Sequence, residues 1–354
     1  MSHEKLIKAI DTLKNNSAWR DAFIQKMIEL EKQIAAPDFD PRDGITGPIV
    51  DTLFSEDAVI RKGIASGLQF EFLYRSKITR DFMMSEPAIP DHVWEPQTSR
   101  LLVKLAKGAK VVVIGGAYFG DHALLVAREA AKSGGVVHAF EPDHGQREML
   151  ARNMKLNNIM NIVPRSEGLW DNNSDHIVLV GHDSVAHPQA TDAPDESAFK
   201  TVTIDSYLES AGASQLNLIM VDIEGAEERA LMGAKSYLAK PVGESPNIVF
   251  EVHRHYVNWD NGLENTDLIR FLKSFGYVAY AVRDFNSNYD LANKPIELIP
   301  AKDAYVEGPP HGFNMVAVKD PSIFAQADFK ICSGVSPKLL RHKDPKLHHP
   351  TDGL

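Results

Sequence analysis

The sequence predicts an α/β fold with a doubly wound, mostly parallel sheet, preceded by a helical N-terminal region. From residue 110 onward, short apolar runs of strand length alternate with helical stretches, and this alternation is typical of parallel βαβ units. Before residue 108, apolar residues recur near a 3.6-residue period, as at Leu6, Ile10 and Leu13. This period predicts helices. The chain of 354 residues is long enough for both parts.

Three segments are expected in order along the chain. Residues 1–95 are predicted to be helical, with loops at the Pro and Gly clusters, and to cap the site or mediate formation of a homo-oligomer. Residues 96–320 carry the alternating strands and helices. Residues 321–354 are predicted to form an irregular tail, in which His342, His348 and His349 lack the spacing that would fix a metal geometry.

The predicted strands begin with KVVVIGG (110–116), GGVVHAF (134–140) and NIVP (161–164). Further runs are VTIDSYL (202–208), LNLIMVDIEG (216–225), PNIVFEVHRH (246–255), GYVAYAV (276–282) and GFNMVAVK (312–319). A long loop separates the last two runs, which predicts an antiparallel hairpin at one edge of the sheet.

Composition and charge exclude several classes of protein and of binding partner. Hydrophobic residues make up 44% and charged residues 24% of the chain, which excludes disordered and coiled-coil classes. The net charge is −10 without a Lys/Arg-rich run, so we expect no nucleic-acid partner. No apolar stretch suits a membrane span or a signal peptide, which predicts a cytoplasmic protein. The single cysteine, Cys332, excludes an intrachain disulfide.

A glycine-rich turn and an acid predict a site for an adenosine-containing cofactor. The first strand runs into Gly115, Gly116 and Gly120 before a helix, and such a turn lets a ligand approach the backbone and the helix N-terminus. Glu141 ends the second strand, where a carboxylate can accept hydrogen bonds from both ribose hydroxyls.

The spacing of the glycines favours a cofactor without phosphates. A dinucleotide site needs G-x-G-x-x-G, whereas this turn reads G-G-x-x-x-G with Tyr118 and Phe119 inside it. S-adenosylmethionine fits this turn. The segment from Ser166 to Trp170 follows the third strand and is the candidate for the adenine wall, although Trp170 suits the core equally well. An NAD-dependent oxidoreductase is the alternative enzyme class.

Seven motifs then follow one another along the chain: VVVIGGAYFGD, HAFEPD, ARNMKLNN, GLW, VTIDSYL, IMVDIEGAEERALMGA and IVFEVH. In these motifs, over about residues 95–320, the sequence resembles the FkbM-type S-adenosylmethionine-dependent methyltransferases. The most specific piece runs from Val221 to Glu227 and continues through Leu231, Gly233 and Ala234. The resemblance implies a class I methyltransferase fold of the Rossmann-like type and methyl transfer to a small-molecule or glycan acceptor.

The resemblance and the turn together give the expected cofactor contacts. These are Gly115, Gly116, Ala117, Gly120, Glu141, Pro142, Glu167, Gly168, Trp170 and Asp222. Ile114 and Tyr118 stand where the family usually has an acid and an asparagine. The contact to the cofactor's amino group is therefore expected from Asp222 or from the N-terminal region. A non-catalytic relative that keeps only the fold is a second alternative.

Acidic and histidine side chains follow two strands that we expect to be neighbours. Asp222 comes after one strand, and Glu251 and His253 lie at the end of the next, where open α/β sheets bind their ligands. His253 is the predicted base, and Asp222 and Glu251 are predicted to assist it or to hold Mg²⁺. The expected reaction is O-methylation of a hydroxyl on a sugar, glycan or glycosylated metabolite. N-methylation of an amine stays open.

Overall fold

The computed structural model describes residues 3–34, 39–181, 186–192, 194, 197–291, 294–308 and 311–341. The N-terminal region comprises helices α1 (His3–Lys14) and α2 (Ser17–Gln33), a π-helical turn (Arg42–Thr46), helix α3 (Gly47–Asp51), strands β1 (Val59–Gly63) and β2 (Gln69–Leu73), and helices α4 (Lys77–Met83) and α5 (Pro96–Leu105). Within these ranges, no helix is both long and apolar enough to cross a bilayer.

The prediction that residues 1–95 are helical is wrong for residues 59–73. β1 and β2 form an antiparallel hairpin, because Phe70 and Phe72 alternate with polar neighbours and bury their rings against Phe82 and Phe119. A period of two residues favours a strand with one buried face. The Pro- and Gly-rich segment at 41–51, which was expected to be a loop, is instead helical.

The first half of the sheet follows the predicted alternation. It contains β3 (Val111–Gly115), α6 (Ala123–Ala131), β4 (Val136–Phe140), α7 (His144–Leu156) and β5 (Ile162–Arg165). An insertion then adds the short strands β6 (Gly168–Leu169), β7 (His176–Val180), β8 (His187–Ala190) and β9 (Phe199–Val202), which form a separate sheet in the order β6-β9-β7-β8. The insertion places an apolar wall beside the end of β5.

The second half completes the sheet. It contains α8 (Ile204–Ser210), β10 (Leu218–Val221), α9 (Glu227–Met232), α10 (Lys235–Leu238), β11 (Asn247–His253), α11 (Asp267–Ser274), β12 (Val278–Val282), β13 (Asp284–Phe285), β14 (Ile296–Pro300), β15 (Gly312–Val318), β16 (Phe329–Ile331) and β17 (Lys338–Leu339). The strand order is β16-β14-β12-β15-β11-β10-β3-β4-β5. The five strands from β11 to β5 are mutually parallel.

The predicted fold class, a mostly parallel doubly wound sheet, is confirmed, as is the antiparallel pairing of β12 with β15. β15 lies between β11 and β12 and is antiparallel to both, and β14 and β16 extend the sheet beyond this pair. The chain order reverses at β3, which has β4 on one side and β10 on the other. This reversal opens a crevice at the carboxyl ends of the strands, where such sheets bind ligands.

The C-terminal segment is more regular than predicted as far as it is described. β16 pairs with β14, and β17 pairs with β13, so residues 329–331 and 338–339 are strands rather than irregular tail. The expected histidine-containing end, with His342, His348 and His349, lies outside the described residues. β17 brings the last described residues back over the carboxyl ends of the central strands.

Two asparagines of α7 attach the N-terminal hairpin to the sheet domain. Asn153 accepts a hydrogen bond from the backbone N–H of Glu71 (2.6 Å) and donates to its carbonyl (2.8 Å). Asn157 makes the same pair of bonds with Gln69, at 2.8 and 2.7 Å. Because the two asparagines are four residues apart, they lie on one face of the helix. They satisfy the free edge of β2 as a neighbouring strand would.

Candidate active site

A cavity of about 770 Å³ lies at the carboxyl ends of β3, β4, β10 and β11, within the usual ~300–1,000 Å³ of small-molecule sites. Its floor includes the glycine turn after β3, and the insertion forms one wall. Asp43 and Lys77 of the N-terminal region and Lys338 and Arg341 of the C-terminal segment line its mouth. The site is thus built from segments at both ends of the described chain.

The glycine turn brings the backbone close to the end of β10. Gly116 has a φ of +76°, and a Cβ atom there would lie 1.9 Å from the carbonyl oxygen of Asp222. Only glycine fits this approach. Gly115 and Gly116 line the cavity. Ala117 and Gly120, which were predicted cofactor contacts, do not appear in the described cavity lining; a Cβ at Gly120 would meet Leu124 at 2.3 Å, so Gly120 serves packing.

Glu141 is held at the end of β4 by the backbone of two loops. One carboxylate oxygen accepts a hydrogen bond from the N–H of Tyr118 (2.8 Å), and the other from the N–H of Asp143 (2.9 Å). Burial raises the pKa of Glu141 to about 7, although these two bonds oppose the rise. Each oxygen keeps a lone pair for a further donor. The buried carboxylate therefore suits two ribose hydroxyls, as the sequence predicted.

An apolar wall lies beside Glu141. Gly168 and Trp170 line the cavity together with Ile177 and Phe199 of the insertion. The Trp170 indole is 5% exposed and donates to Asp175 at 3.0 Å, so it is a fixed surface. Pro142 and Glu167 also line the cavity. Glu167, another predicted contact, pairs with Arg165. The wall offers the flat apolar surface that an adenine ring requires.

Three carboxylates, Asp222, Glu224 and Glu251, form what we call the acid cluster. Each offers an oxygen within 4.8 Å of the others, because β10 and β11 are neighbours, as predicted. Burial, together with repulsion from neighbouring carboxylates that include Glu95 and Glu227, raises the pKa values of Asp222 and Glu251 well above their usual range and that of Glu224 to about 7. The acid cluster therefore holds a proton at neutral pH or attracts a cation.

Glu224 lies between β10 and α9, in an unusual backbone conformation. Its φ is +52°, a conformation that costs a non-glycine residue energy and is concentrated at functional sites. Its side chain lines the cavity. Glu227, the first residue of α9, holds the turn before the helix, because its carboxylate accepts bonds from the N–H groups of Ile223 (2.9 Å) and Gly225 (3.0 Å).

His253 lines the cavity, but its hydrogen bonding does not suit the predicted base. Its Nδ1 accepts a bond from the backbone N–H of His255 at 3.1 Å. A neutral imidazole carries one proton, so this bond leaves the proton on Nε2. Burial, His255 and Lys338 also lower the pKa of His253 to about 4. We therefore expect His253 to act as a neutral hydrogen-bond donor rather than as the base that the sequence predicted.

A second charged group lies next to the glycine turn and was missed by sequence reasoning. Glu95, Asp121 and His122 are all buried and line the cavity. The His122 Nε2 atom lies 3.8 Å from a Glu95 oxygen and 3.9 Å from an Asp121 oxygen. Burial lowers the pKa of His122, but Asp121, Glu95 and Asp222 together raise it to about 9. Of these three residues, only Asp121 could have been found from the sequence, because it directly follows the glycine turn.

Comparison with known proteins confirms the resemblance for part of the chain. Residues 115–279 match the model of the methyltransferase FkbM domain. Among curated proteins, none matches. A methyltransferase FkbM from Methylobacillus flagellatus KT is similar at 15% identity and a TM-score of 0.36, over 60% of this chain and 44% of that one. This chain thus spans less than half the length of that structure.

Two other solved structures are similar over more of this chain. TYW2 of P. horikoshii, in complex with MeSAdo, is 16% identical with a TM-score of 0.38, over 76% of this chain and 74% of that one. TYW2 of M. jannaschii, in complex with AdoMet, is 12% identical with a TM-score of 0.35, over 75% of this chain and 87% of that one.

Proposed function

We propose that this chain, whose residues 115–279 form a methyltransferase FkbM domain, uses S-adenosylmethionine to methylate a hydroxyl group on a sugar, glycan or glycosylated metabolite. When bound, S-adenosylmethionine supplies an electrophilic methyl group. The observation that carries the proposal is that the buried Glu141 carboxylate and the acid cluster line one cavity. The Glu141 carboxylate suits a ribose, and the acid cluster suits an acceptor hydroxyl group that must lose a proton.

The charges beside the glycine turn favour this cofactor over NAD. In a dinucleotide site the pyrophosphate lies on the N-terminus of the helix after the turn. Here the carboxylate of Asp121 lies two residues before the start of that helix, and it would repel phosphates. A sulfonium cation is attracted by the same carboxylate. Glu141 would hold the ribose, Gly115 and Gly116 would contact the cofactor through their backbone, and Gly168 and Trp170 would face the adenine.

At the acceptor end, we assign proton acceptance to Asp222 and Glu251. A carboxylate with a raised pKa is a stronger base than an ordinary one, and both side chains face the cavity. His253 would donate through Nε2 to another acceptor oxygen. The aromatic ring of Tyr256 lies 5.6 Å from that of His253, which stacks on His255 at 4.7 Å. Flat rings next to carboxylates suit a sugar, which is the support for a carbohydrate acceptor.

We also propose that the acid cluster can bind Mg²⁺. Carboxylate oxygens are the ligands that Mg²⁺ prefers, and it commonly uses one or two of them together with substrate oxygens. The close approach of Asp222, Glu224 and Glu251 supports this role. Calorimetric titration with Mg²⁺ tests it, since Asp222→Asn should abolish the heat seen for the wild type. Equal heats for both proteins would contradict the metal proposal and leave methyl transfer unaffected.

The cofactor is tested first, by titrating the purified chain with S-adenosylhomocysteine and, separately, with NAD. We expect micromolar binding of S-adenosylhomocysteine that is lost in Glu141→Ala. Glu148→Ala is the matched control, because Glu148 is an exposed acid on the helix after Glu141. Binding of NAD instead would favour the oxidoreductase alternative. A folded chain that binds neither ligand would contradict both enzyme readings and favour a non-catalytic relative.

A further inference from the structure

From the Glu95–Asp121–His122 cluster we infer a dedicated subsite for the amino-acid end of the cofactor, with the two carboxylates binding its ammonium group and the His122 imidazolium binding its carboxylate. The inference rests on the proposed function and deepens it. The cofactor's amino-acid end carries both a positive and a negative charge, so its site needs side chains of both signs. The cluster supplies these within one buried part of the cavity.

The position of the cluster matches the distance that such a ligand spans. Asp121 and His122 come directly after the turn that contains Gly116, and Glu141 bonds to that same turn through Tyr118. The amino-acid end of the ligand is attached to the ribose, so its partners must lie close to Glu141. Lys338, which also lines the cavity, lies near Glu251 and His253 as well as near Glu95. His122 directly follows Asp121 beside the glycine turn, and we therefore assign it as the cation for the cofactor's carboxylate.

Ile114 cannot supply a charge at the end of β3, because its apolar side chain is buried in the core.

Glu95 supplies a charge from the N-terminal region. It lies at the N-terminus of α5 and has a φ of +48°. Its position is fixed by Asn314 of β15, which donates to it at 2.6 Å. A strained conformation held by a buried partner is typical of a functional position. The His122 Nε2 atom lies 3.8 Å from a Glu95 oxygen and 3.9 Å from an Asp121 oxygen, and both separations are longer than a hydrogen bond.

The test compares ligands on the unmodified chain before any variant is made. Calorimetry would measure the affinities of S-adenosylhomocysteine, its decarboxylated form and 5′-methylthioadenosine, which lacks the amino-acid end. We expect the loss of the carboxylate alone, and the loss of the whole amino-acid end, each to weaken binding by about tenfold or more, since a hydrogen bond between charged groups is worth at least that factor. A change of less than about twofold for both ligands would overturn the inference, while binding of 5′-methylthioadenosine would still support the proposed function.

Variants then assign the effect to the cluster. Glu95→Gln and His122→Gln should bind S-adenosylhomocysteine about tenfold more weakly and 5′-methylthioadenosine as the wild type does. The matched control is Asp284→Asn, because Asp284 is a buried acid that accepts bonds from Gln97 and Thr98 of the same helix. It should preserve the wild-type ratio of the two affinities. Wild-type ratios in Glu95→Gln and His122→Gln would contradict the inference, whereas loss of all ligand binding in the wild type would contradict the proposed function as well.

Discussion

Buried carboxylates lie at both ends of the cavity, but their surroundings differ. Glu141 accepts hydrogen bonds from two backbone N–H groups of loops on either side of it. Asp222, Glu224 and Glu251 lie close together, and neighbouring carboxylates add to the burial that raises the pKa of each. The first carboxylate is therefore fixed in place and prepared for a neutral donor such as a hydroxyl. The acid cluster, in contrast, favours the binding of a proton or a cation between its carboxylates.

This difference shows that burial alone does not decide what an acidic side chain can do. Backbone N–H groups stabilise the ionised form, whereas neighbouring carboxylates destabilise it. The same residue type thus serves as a binding group at one end and as a proton acceptor at the other. Three predictions test the comparison.

The largest expected effect is on the pH dependence of stability. A carboxyl whose pKa is higher in the folded than in the unfolded chain binds more protons when folded, so its stabilisation is lost as pH rises from the unfolded value through the folded one. For Glu141 this window runs from 4.5 to about 7, and the loss is on the order of 3 kcal/mol. His122, with a folded pKa of about 9, adds a further loss above pH 6.5.

The measurement is urea unfolding of the ligand-free chain between pH 4.5 and pH 9. Between pH 4.5 and pH 7, the free energy of unfolding of the wild type should decrease more steeply than that of Glu141→Gln, because the variant lacks the contribution of Glu141 while both chains keep that of His253, whose lowered pKa acts in the opposite direction. Equal slopes in the two chains would show that the pKa of Glu141 is not raised in the folded chain.

The next largest effect concerns the hydrogen bonds of Asn153, which join the N-terminal hairpin to the glycine turn. Asn153 is fully buried, bonds to both backbone groups of Glu71 and donates to the carbonyl of Phe119 in the glycine turn at 2.9 Å. Asn153→Ala should lower the free energy of unfolding by about 2–3 kcal/mol, because it leaves buried backbone groups without partners. Asn157→Ala, at a more exposed position, should cost about 1 kcal/mol. Similar losses in both variants would show that the turn does not depend on Asn153.

The smallest effect compares the two ends directly. At pH 8, Glu251→Gln should increase the stability of the ligand-free chain, since it replaces one of three buried carboxyl groups that cannot all ionise side by side without repulsion. Glu141→Gln should gain less, because its amide NH₂ must face one of two N–H donors. We expect the two variants to differ by about 1 kcal/mol or more in the free energy of unfolding. Thermal unfolding measures this difference, and equal melting temperatures would remove the distinction between the two ends.

Local sequence patterns pointed to several of the side chains that line the cavity. Glu141 and Asp222 end strands whose apolar runs are visible in the sequence, and the order of those strands brought the acid cluster together as expected. The hairpin at 59–73 was missed because its strands are only five residues long and lie in a segment of helical character. The hydrogen bonding of His253 could not be predicted because it depends on a bond from the backbone of His255.

By itself, the sequence determined the doubly wound sheet, the glycine turn and the carboxylates at the strand ends, because periodicity and glycine placement act over a few neighbouring residues. Only the tertiary structure decided that Glu95 and His122 share a part of the cavity, and that Asn153 joins the N-terminal hairpin to the turn. These contacts join segments far apart in the chain. Hydrogen bonds and charge interactions depend on the distance between the groups, and these groups come close only when the sheet has assembled. A local sequence pattern therefore cannot predict them.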